Sequence, residues 1–196
     1  MSERRLAVFD FDGTLIKGDS FISFARFAVG LRAYAVALLR SAKALAKWKL
    51  GLIDGGEAKE VLFGNLYRGM PVEKFYMLGE AFSSRIVKQE RVQIVSRMRE
   101  FISLGVPVAI LTASVPAWIE PWARKNGVTF VIGTEIEVDV DGRLTGRFST
   151  PNCRGEEKVR RLSSAVSDWK SKEIWAFGDS DGDTALLAVA AHPTRV

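Results

Sequence analysis

Residues Leu6-Ala7-Val8-Phe9-Asp10-Phe11-Asp12-Gly13-Thr14-Leu15 decide the fold. Four apolar residues closed by an acid, a spacer, a second acid and Gly-Thr read as a buried parallel strand. Its carboxyl end delivers two carboxylates into a crevice, the usual place for a ligand in an open α/β sheet. Side chains alternate along a strand, so Asp10 and Asp12 point the same way while Phe11 packs on the opposite side. Gly13 lets the backbone turn away sharply behind them. Asp-x-Asp-Gly also opens a calcium loop, but the twelfth position counted from Asp10 is Phe21, which cannot ligate, and a strand leads in where that motif has a helix.

Working outward, three more apolar runs end in polar residues or glycine: Val106 to Thr112, Val128 to Gly133, and Glu173 to Phe177 followed by Gly178-Asp179-Ser180-Asp181-Gly182-Asp183. His192 to Val196 reads as a last, clipped strand, and Glu135 to Phe148 as a hairpin about Asp141-Gly142. Helices are expected at 91–104, at 116–125 with Pro121 kinking it or marking its true start, behind Gly155 within 153–166, and after Asp183. The first two strands are separated by an all-helical insertion, residues 17–90. It holds one or two helices over 21–50 with Gly30 as the breaker, a helix at 58–67, and another from Pro71 to about Lys88. Strands alternating with helices argue an α/β fold, a Rossmann-like parallel sheet flanked by helices and joined by right-handed crossovers.

A chain of 196 residues suits one well-buried domain with a sizeable insertion. Cys153 is the single cysteine and cannot form an internal disulfide, and Met-Ser-Glu-Arg-Arg runs into the first strand without a secretory apolar segment. A reducing, cytoplasmic compartment is the expectation. The net charge of +5 is local: six basic residues and no acid lie between Ser20 and Ile53. On a helical wheel Arg32, Arg40, Lys43 and Lys47 share one side, so this helix is basic and amphipathic. Arg26, Arg32 and Arg40 leave no uncharged run near the ~20 residues of a bilayer crossing, so lying on an anionic membrane surface is the expected alternative to solvation. Nucleic acid is not an expected partner, because no basic platform interleaved with aromatics is present.

The strand ends place Asp10, Asp12, Thr112 and Asp179 on one edge of such a sheet, and Asp183, four residues after Asp179 across a strand-to-helix turn, can face the first pair. Three or four crowded carboxylates cannot all stay ionised without a cation. All-oxygen ligation suits Mg²⁺. The second acidic loop also mimics a calcium site, but its twelfth position is Ala190. His192 and Cys153 have no partner at ligand spacing and read as structural.

Taken in order, Asp10-Phe11-Asp12-Gly13-Thr14, Thr112 at the end of an apolar strand, Lys158, and Gly178-Asp179-Ser180 with Asp183 resemble the four motifs of the haloacid dehalogenase superfamily. The insertion resembles the cap of its phosphoserine-phosphatase-like branch, and Asp141-Gly142-Arg143-Leu144-Thr145-Gly146 is similar to a hairpin of that branch. The resemblance implies a catalytic core of 1–16 and 91–196 and a helical cap of 17–90. It implies that Asp10 is a nucleophile forming an aspartyl-phosphate, and that Asp12 protonates the leaving alcohol and then activates water. Asp10, the Asp12 backbone carbonyl and Asp179 would hold Mg²⁺, with Asp183, Gly13 and Thr14 in support. Thr112, the Ala113 N–H and Lys158 would bind the phosphoryl oxygens. An Asp as second acid of the first motif separates phosphoryl-transfer members from dehalogenases, so a phosphatase is expected.

Two substrate classes fit. Phosphoserine phosphatases resemble the chain in the cap, and Asp19 sits near their substrate-binding acid, but their substrate-binding arginine falls at Phe63. Bacterial phosphatidylglycerophosphate phosphatases of the same branch share a hydrophobic, basic first cap region, which residues 20–53 resemble. The expectation is hydrolysis of a phosphorylated small molecule or of a lipid phosphate, in the second case peripheral on the inner membrane face. A regulatory binding protein on the same fold is the non-enzymatic alternative.

Overall fold

The computed structural model describes residues 4–196; the sequence reading at residues 1–3 lies outside the described residues. Five parallel strands form the sheet in the order β3 (Phe130–Ile132), β2 (Val108–Leu111), β1 (Arg5–Phe9), β6 (Glu173–Gly178), β7 (His192–Arg195). The opening apolar run is therefore the middle strand, its residues 6–9 buried on both faces. Register positions the chemistry: Phe9 lies level with Ile110 on one side and Phe177 on the other. Asp10, Thr112 and Asp179 consequently leave their strands within a residue or two of the same level, at the carboxyl edge.

One face of the sheet packs Ala7, Phe9 and Ile110 against Val95, Met98 and Phe101 of α4 (Val92–Ser103), with the Phe9 and Phe177 rings stacked at 4.3 Å. The other face packs Leu6, Val8 and Leu111 against Leu162 of α6 (Glu156–Ala165) and Leu186 of α7 (Thr184–Ala188). Each fully buried aliphatic or aromatic side chain contributes roughly 1.5–3 kcal/mol. Phe11 turns away and meets Trp122 edge-on at 5.5 Å.

Between β1 and β2 the chain makes α1 (Ser20–Lys49), α2 (Gly55–Tyr67) and α3 (Val72–Ile86). α1 is broken at Gly30, whose φ of 79° and ψ of 164° are not helical, so its two arms are separate helices. Phe24 of the first arm packs with Tyr67, Phe75, Phe82 and Trp118, which joins the helical insertion to the sheet's own core in one continuous cluster. By length and composition α1 meets the requirement for a membrane-crossing helix, which its arginines seemed to exclude. It is nevertheless anchored inside the protein: Tyr34, Ala37 and Ser41 of the second arm are buried, and Asn65 of α2 donates a 2.9 Å hydrogen bond to Ser41.

β4 (Ile136–Val138) and β5 (Leu144–Phe148) form the expected antiparallel hairpin, and it grips the insertion. Its carbonyl at Leu144 accepts from the Gly69 N–H, the Leu144 N–H is donated to Met70, and Gly64 of α2 passes so close to Gly146 that a Cβ at either would press on the other's backbone. Gly146 also needs its freedom for φ 83°. Pro121 marks a true helix start: residues 116–118 make one 3₁₀ turn, and α5 (Glu120–Lys125) begins with the proline in its first turn, where no N–H is required.

Candidate active site

At the carboxyl edge, carboxylate oxygens of Asp10, Asp179 and Asp183 lie within 4.8 Å of one another. Lys158, buried in the first turns of α6, reaches between two of them, donating 2.5 Å hydrogen bonds to Asp10 and to Asp183. Burial alone would lower the lysine pKa, but the two carboxylates more than offset it and hold it above the usual range. Asp183 shows the same balance in reverse: burial pushes up, and Lys158 together with the Ser180 N–H and hydroxyl, both 3.0 Å away, brings it below the ordinary value. For Asp10 burial prevails over Lys158, and with Asp183 adding repulsion its pKa rises to about 7.

The glycines explain how these groups come so close. A Cβ on Gly13, held at φ 85°, would run into the Asp179 carboxylate, and one on Gly178 would run into Asp183. Thr14 donates a long 3.4 Å hydrogen bond to Asp179. The Asp12 carboxylate stands apart from the cluster. One of its oxygens accepts the Ser20 N–H at 2.6 Å, the other accepts the Ser114 hydroxyl at 2.6 Å, and burial, with Asp19 adding repulsion, raises its pKa against the bonds from Ser114 and Ser20. Thr112 is fully buried, its hydroxyl accepting the Ser114 N–H at 3.0 Å, and the Ala113 carbonyl accepts from Thr134 and Lys59.

Asp10, Asp12, Thr112, Ala113, Lys158 and Asp183 all line one cavity of about 240 Å³. Asp19 lines it as well, its carboxylate capping α1 through the Ile22 N–H. Phe63 does not; it is fully buried among Tyr67, Phe75 and Phe148. His192 pairs with Glu173 and stacks on Trp175. Cys153 is buried, its thiol pushed up to about 11. The cavity also takes Ser114, Lys59, Trp48, Asn152 and Arg154, which the sequence reading did not single out. Ser114 had a local signal, two residues beyond Thr112. Lys59 lies one helical turn before Phe63, so the neighbouring turn of the same helix was the place to look.

The donor set fits a divalent cation of the hard, oxygen-preferring kind. It is all carboxylate, without imidazole or thiolate, and its crowded negative charge exceeds what Lys158 alone neutralises.

The sequence matches the haloacid dehalogenase-like hydrolase family over residues 7–188. It is 32% identical to the protein CicA of Caulobacter vibrioides over 96% of this chain and 84% of that protein. A crystal structure of a Bordetella pertussis protein of unknown function superposes with a TM-score of 0.81 at 31% identity, covering 98% of this chain and 89% of that one. The fold is shared with a phospho-aspartyl intermediate analogue of phosphoserine phosphatase, at a TM-score of 0.61 and 19% identity over 96% and 84% of the two chains. With its acids converging at the edge of a parallel sheet and its family match spanning nearly all of it, the chain belongs to the haloacid dehalogenase-like hydrolases and is a phosphatase.

Proposed function

We propose that the protein hydrolyses phosphate monoesters through an aspartyl-phosphate on Asp10, in the cavity that the insertion 17–90 caps over a core of 1–16 and 91–196. The observation that carries this is the division of labour between two acids two residues apart. Asp10 sits in the cationic grip of Lys158, and Asp12 is turned away from the cluster onto Ser20 and Ser114.

An Asp10 oxygen attacks phosphorus in line, and the bond to the alcohol oxygen breaks. Asp12, its pKa raised by burial, gives a proton to that leaving oxygen, then as carboxylate takes one from the water that cleaves the acyl phosphate. Lys158, Thr112 and the Ala113 N–H hold the equatorial oxygens, whose charge must be offset as the phosphoryl group moves. Asp10, Asp179 and the Asp12 carbonyl would hold Mg²⁺, with Asp183 keeping Lys158 in place; bound there, the ion supplies charge neutralisation and orientation. The test is a pair of variants on an aryl phosphate. Asp10→Asn should abolish turnover. Asp12→Asn should still take up one phosphoryl group per chain, because a good leaving group needs no acid, and then stall. Full steady turnover by either variant would overturn the assignment of that residue.

A lipid phosphate as substrate has one specific observation behind it. Trp48 at the end of α1 lines the cavity and is 44% exposed, and Leu50 and Leu52, which follow it in the chain beside Lys47 and Lys49, are 74% and 68% exposed. Exposed apolar groups next to cations suit an anionic bilayer surface, each cation near it adding ~1 kcal/mol. A soluble phosphate ester is the other reading, and hydrolysis rates on a panel of aryl, amino-acid, amino-alcohol and vesicle-borne phosphates separate the two.

A further inference from the structure

Among the described residues the two buried cations are both matched by carboxylates. Lys158 has Asp10 and Asp183, and Arg161 has Glu157 at 2.8 Å. Lys59 also faces the catalytic cavity, yet its amine has only the neutral Ala113 carbonyl at 2.8 Å and the face of Phe21, whose ring centre is 5.2 Å away. Among the described residues it forms no ion pair. An ammonium has three protons to donate, and on this half-buried lysine the Ala113 carbonyl takes one of them. Desolvation lowers the Lys59 pKa, with Asp12, Asp19 and Asp10 near enough to oppose it.

The local sequence explains its aim. Asp54 caps α2 by accepting the Gly56 and Glu57 N–H groups, which fixes where the helix starts. Gly55 and Lys59 are then one turn apart on a face that lines the cavity, while Ala58 and Leu62 go into the interior. The lysine thus enters from the insertion, opposite the acids that belong to the sheet.

We infer that Lys59 is a specificity residue that binds a second anionic group, a carboxylate or a phosphodiester, carried by the alcohol part of the substrate close to its phosphate. The inference rests on the phosphomonoesterase reading and narrows it. Lys158 and the rest of the phosphoryl site are built from the core, so a phosphate seated there leaves the Lys59 amine to face whatever the ester carries. The cavity is small, about 240 Å³, which suits a second anion within a few bonds of the ester oxygen. Arg154 at the exposed rim of the same cavity adds positive charge on the way in.

Matched esters test it on the full-length protein with Mg²⁺. 3-Phosphoglycerate against glycerol 3-phosphate, and O-phosphoserine against O-phosphoethanolamine, differ by one carboxylate. The glycerophosphodiester of glycerol phosphate against glycerol 3-phosphate differs by a diester and tells a lipid headgroup from a free acid. Wild-type kcat/KM should favour the charged member of at least one pair by tenfold or more. Lys59→Met should bring that ratio near one through KM, and Lys59→Arg should keep most of it. No preference in the wild type, an unchanged ratio in Lys59→Met, or an equal loss on p-nitrophenyl phosphate would each overturn the subsite. Absence of turnover on every ester would count against the phosphatase reading alone. The subsite then stands or falls on binding: calorimetry should show O-phosphoserine held more tightly than O-phosphoethanolamine by wild type, and equal affinities would overturn it.

Discussion

The Ser114 hydroxyl donates to Asp12 at 2.6 Å and is itself the end of a directed chain. The Trp118 indole N–H can only donate. It bonds the Ser20 hydroxyl at 3.0 Å, and Ser20 bonds Ser114 at 3.2 Å, so every proton in the row points toward Asp12. The acid is thereby oriented from both the insertion and the core.

Ser114→Ala removes the Ser114 bond that favours ionised Asp12 and leaves those from Ser20. A hydrogen bond to the charged form lowers a carboxyl pKa, so losing it must raise the Asp12 value further. Water activation needs the carboxylate, so the rising limb of the kcat–pH profile on p-nitrophenyl phosphate should move to higher pH. The plateau should fall roughly tenfold through poorer orientation. An unshifted limb would show that Ser114 does not act through Asp12.

Asp10 strains the metal-free fold. With its folded pKa near 7 against 3.8 ordinarily, Asp10 keeps a proton between about pH 4 and 7 that the unfolded chain has released. Stability from this group therefore falls as pH rises through that window, and the full penalty, roughly 4 kcal/mol, applies above it. In chelator at pH 8, Asp10→Asn should raise the melting temperature by several degrees, Lys158 keeping Asp183 as its partner. At pH 4 the gain should largely disappear. Mg²⁺ should stabilise wild type far more than the variant.

Chelation should abolish turnover, and Ca²⁺ should fail to restore it. Ca²⁺ prefers six to eight oxygens in looser geometry, so it would tend to engage both Asp10 oxygens and spoil in-line attack. Steady-state rates in chelator, Mg²⁺ and Ca²⁺ check this, and unchanged rates after exhaustive chelation would sink the metal assignment.

On α1, Arg40, Lys43 and Lys47 are exposed. Changing all three to Gln should abolish salt-sensitive sedimentation with anionic vesicles, lower activity on vesicle-borne substrate severalfold, and hardly alter hydrolysis of a small soluble ester. Equal losses on both substrates would assign these cations to the fold, and no vesicle binding by wild type at low salt would favour the soluble reading.

The sheet was legible because a buried parallel strand writes its apolar run and its terminal acid contiguously, as at Val8-Phe9-Asp10 and Ala176-Phe177-Gly178-Asp179. Helix breaks at Gly30 and Pro121 were legible for the same reason: φ is a property of one residue. Lys59 and Ser20 were not. Each acts across a contact between segments 54 and 94 residues apart, with Ala113 and Ser114 respectively, and periodicity within a helix says which residues share a face but not what that face meets. The aromatic cluster around Phe24 hid likewise, its members spread over four helical segments.

The meeting of Gly64 and Gly146 governs traffic. Where two backbones touch there is no side chain to give way, and interiors packed at crystal density do not stretch. With the Gly69–Leu144 and Leu144–Met70 bonds beside it, this seam is a rivet, and α2 cannot be lifted from the hairpin without breaking main-chain hydrogen bonds. The expected path for substrate is the other flank, where a trough of about 620 Å³ lined by Asp54, Gly55, Arg154 and Gly155 shares Gly55, Asn152, Arg154 and Gly182 with the cavity that holds Asp10. The molecule has a side door, with Trp48 as its jamb.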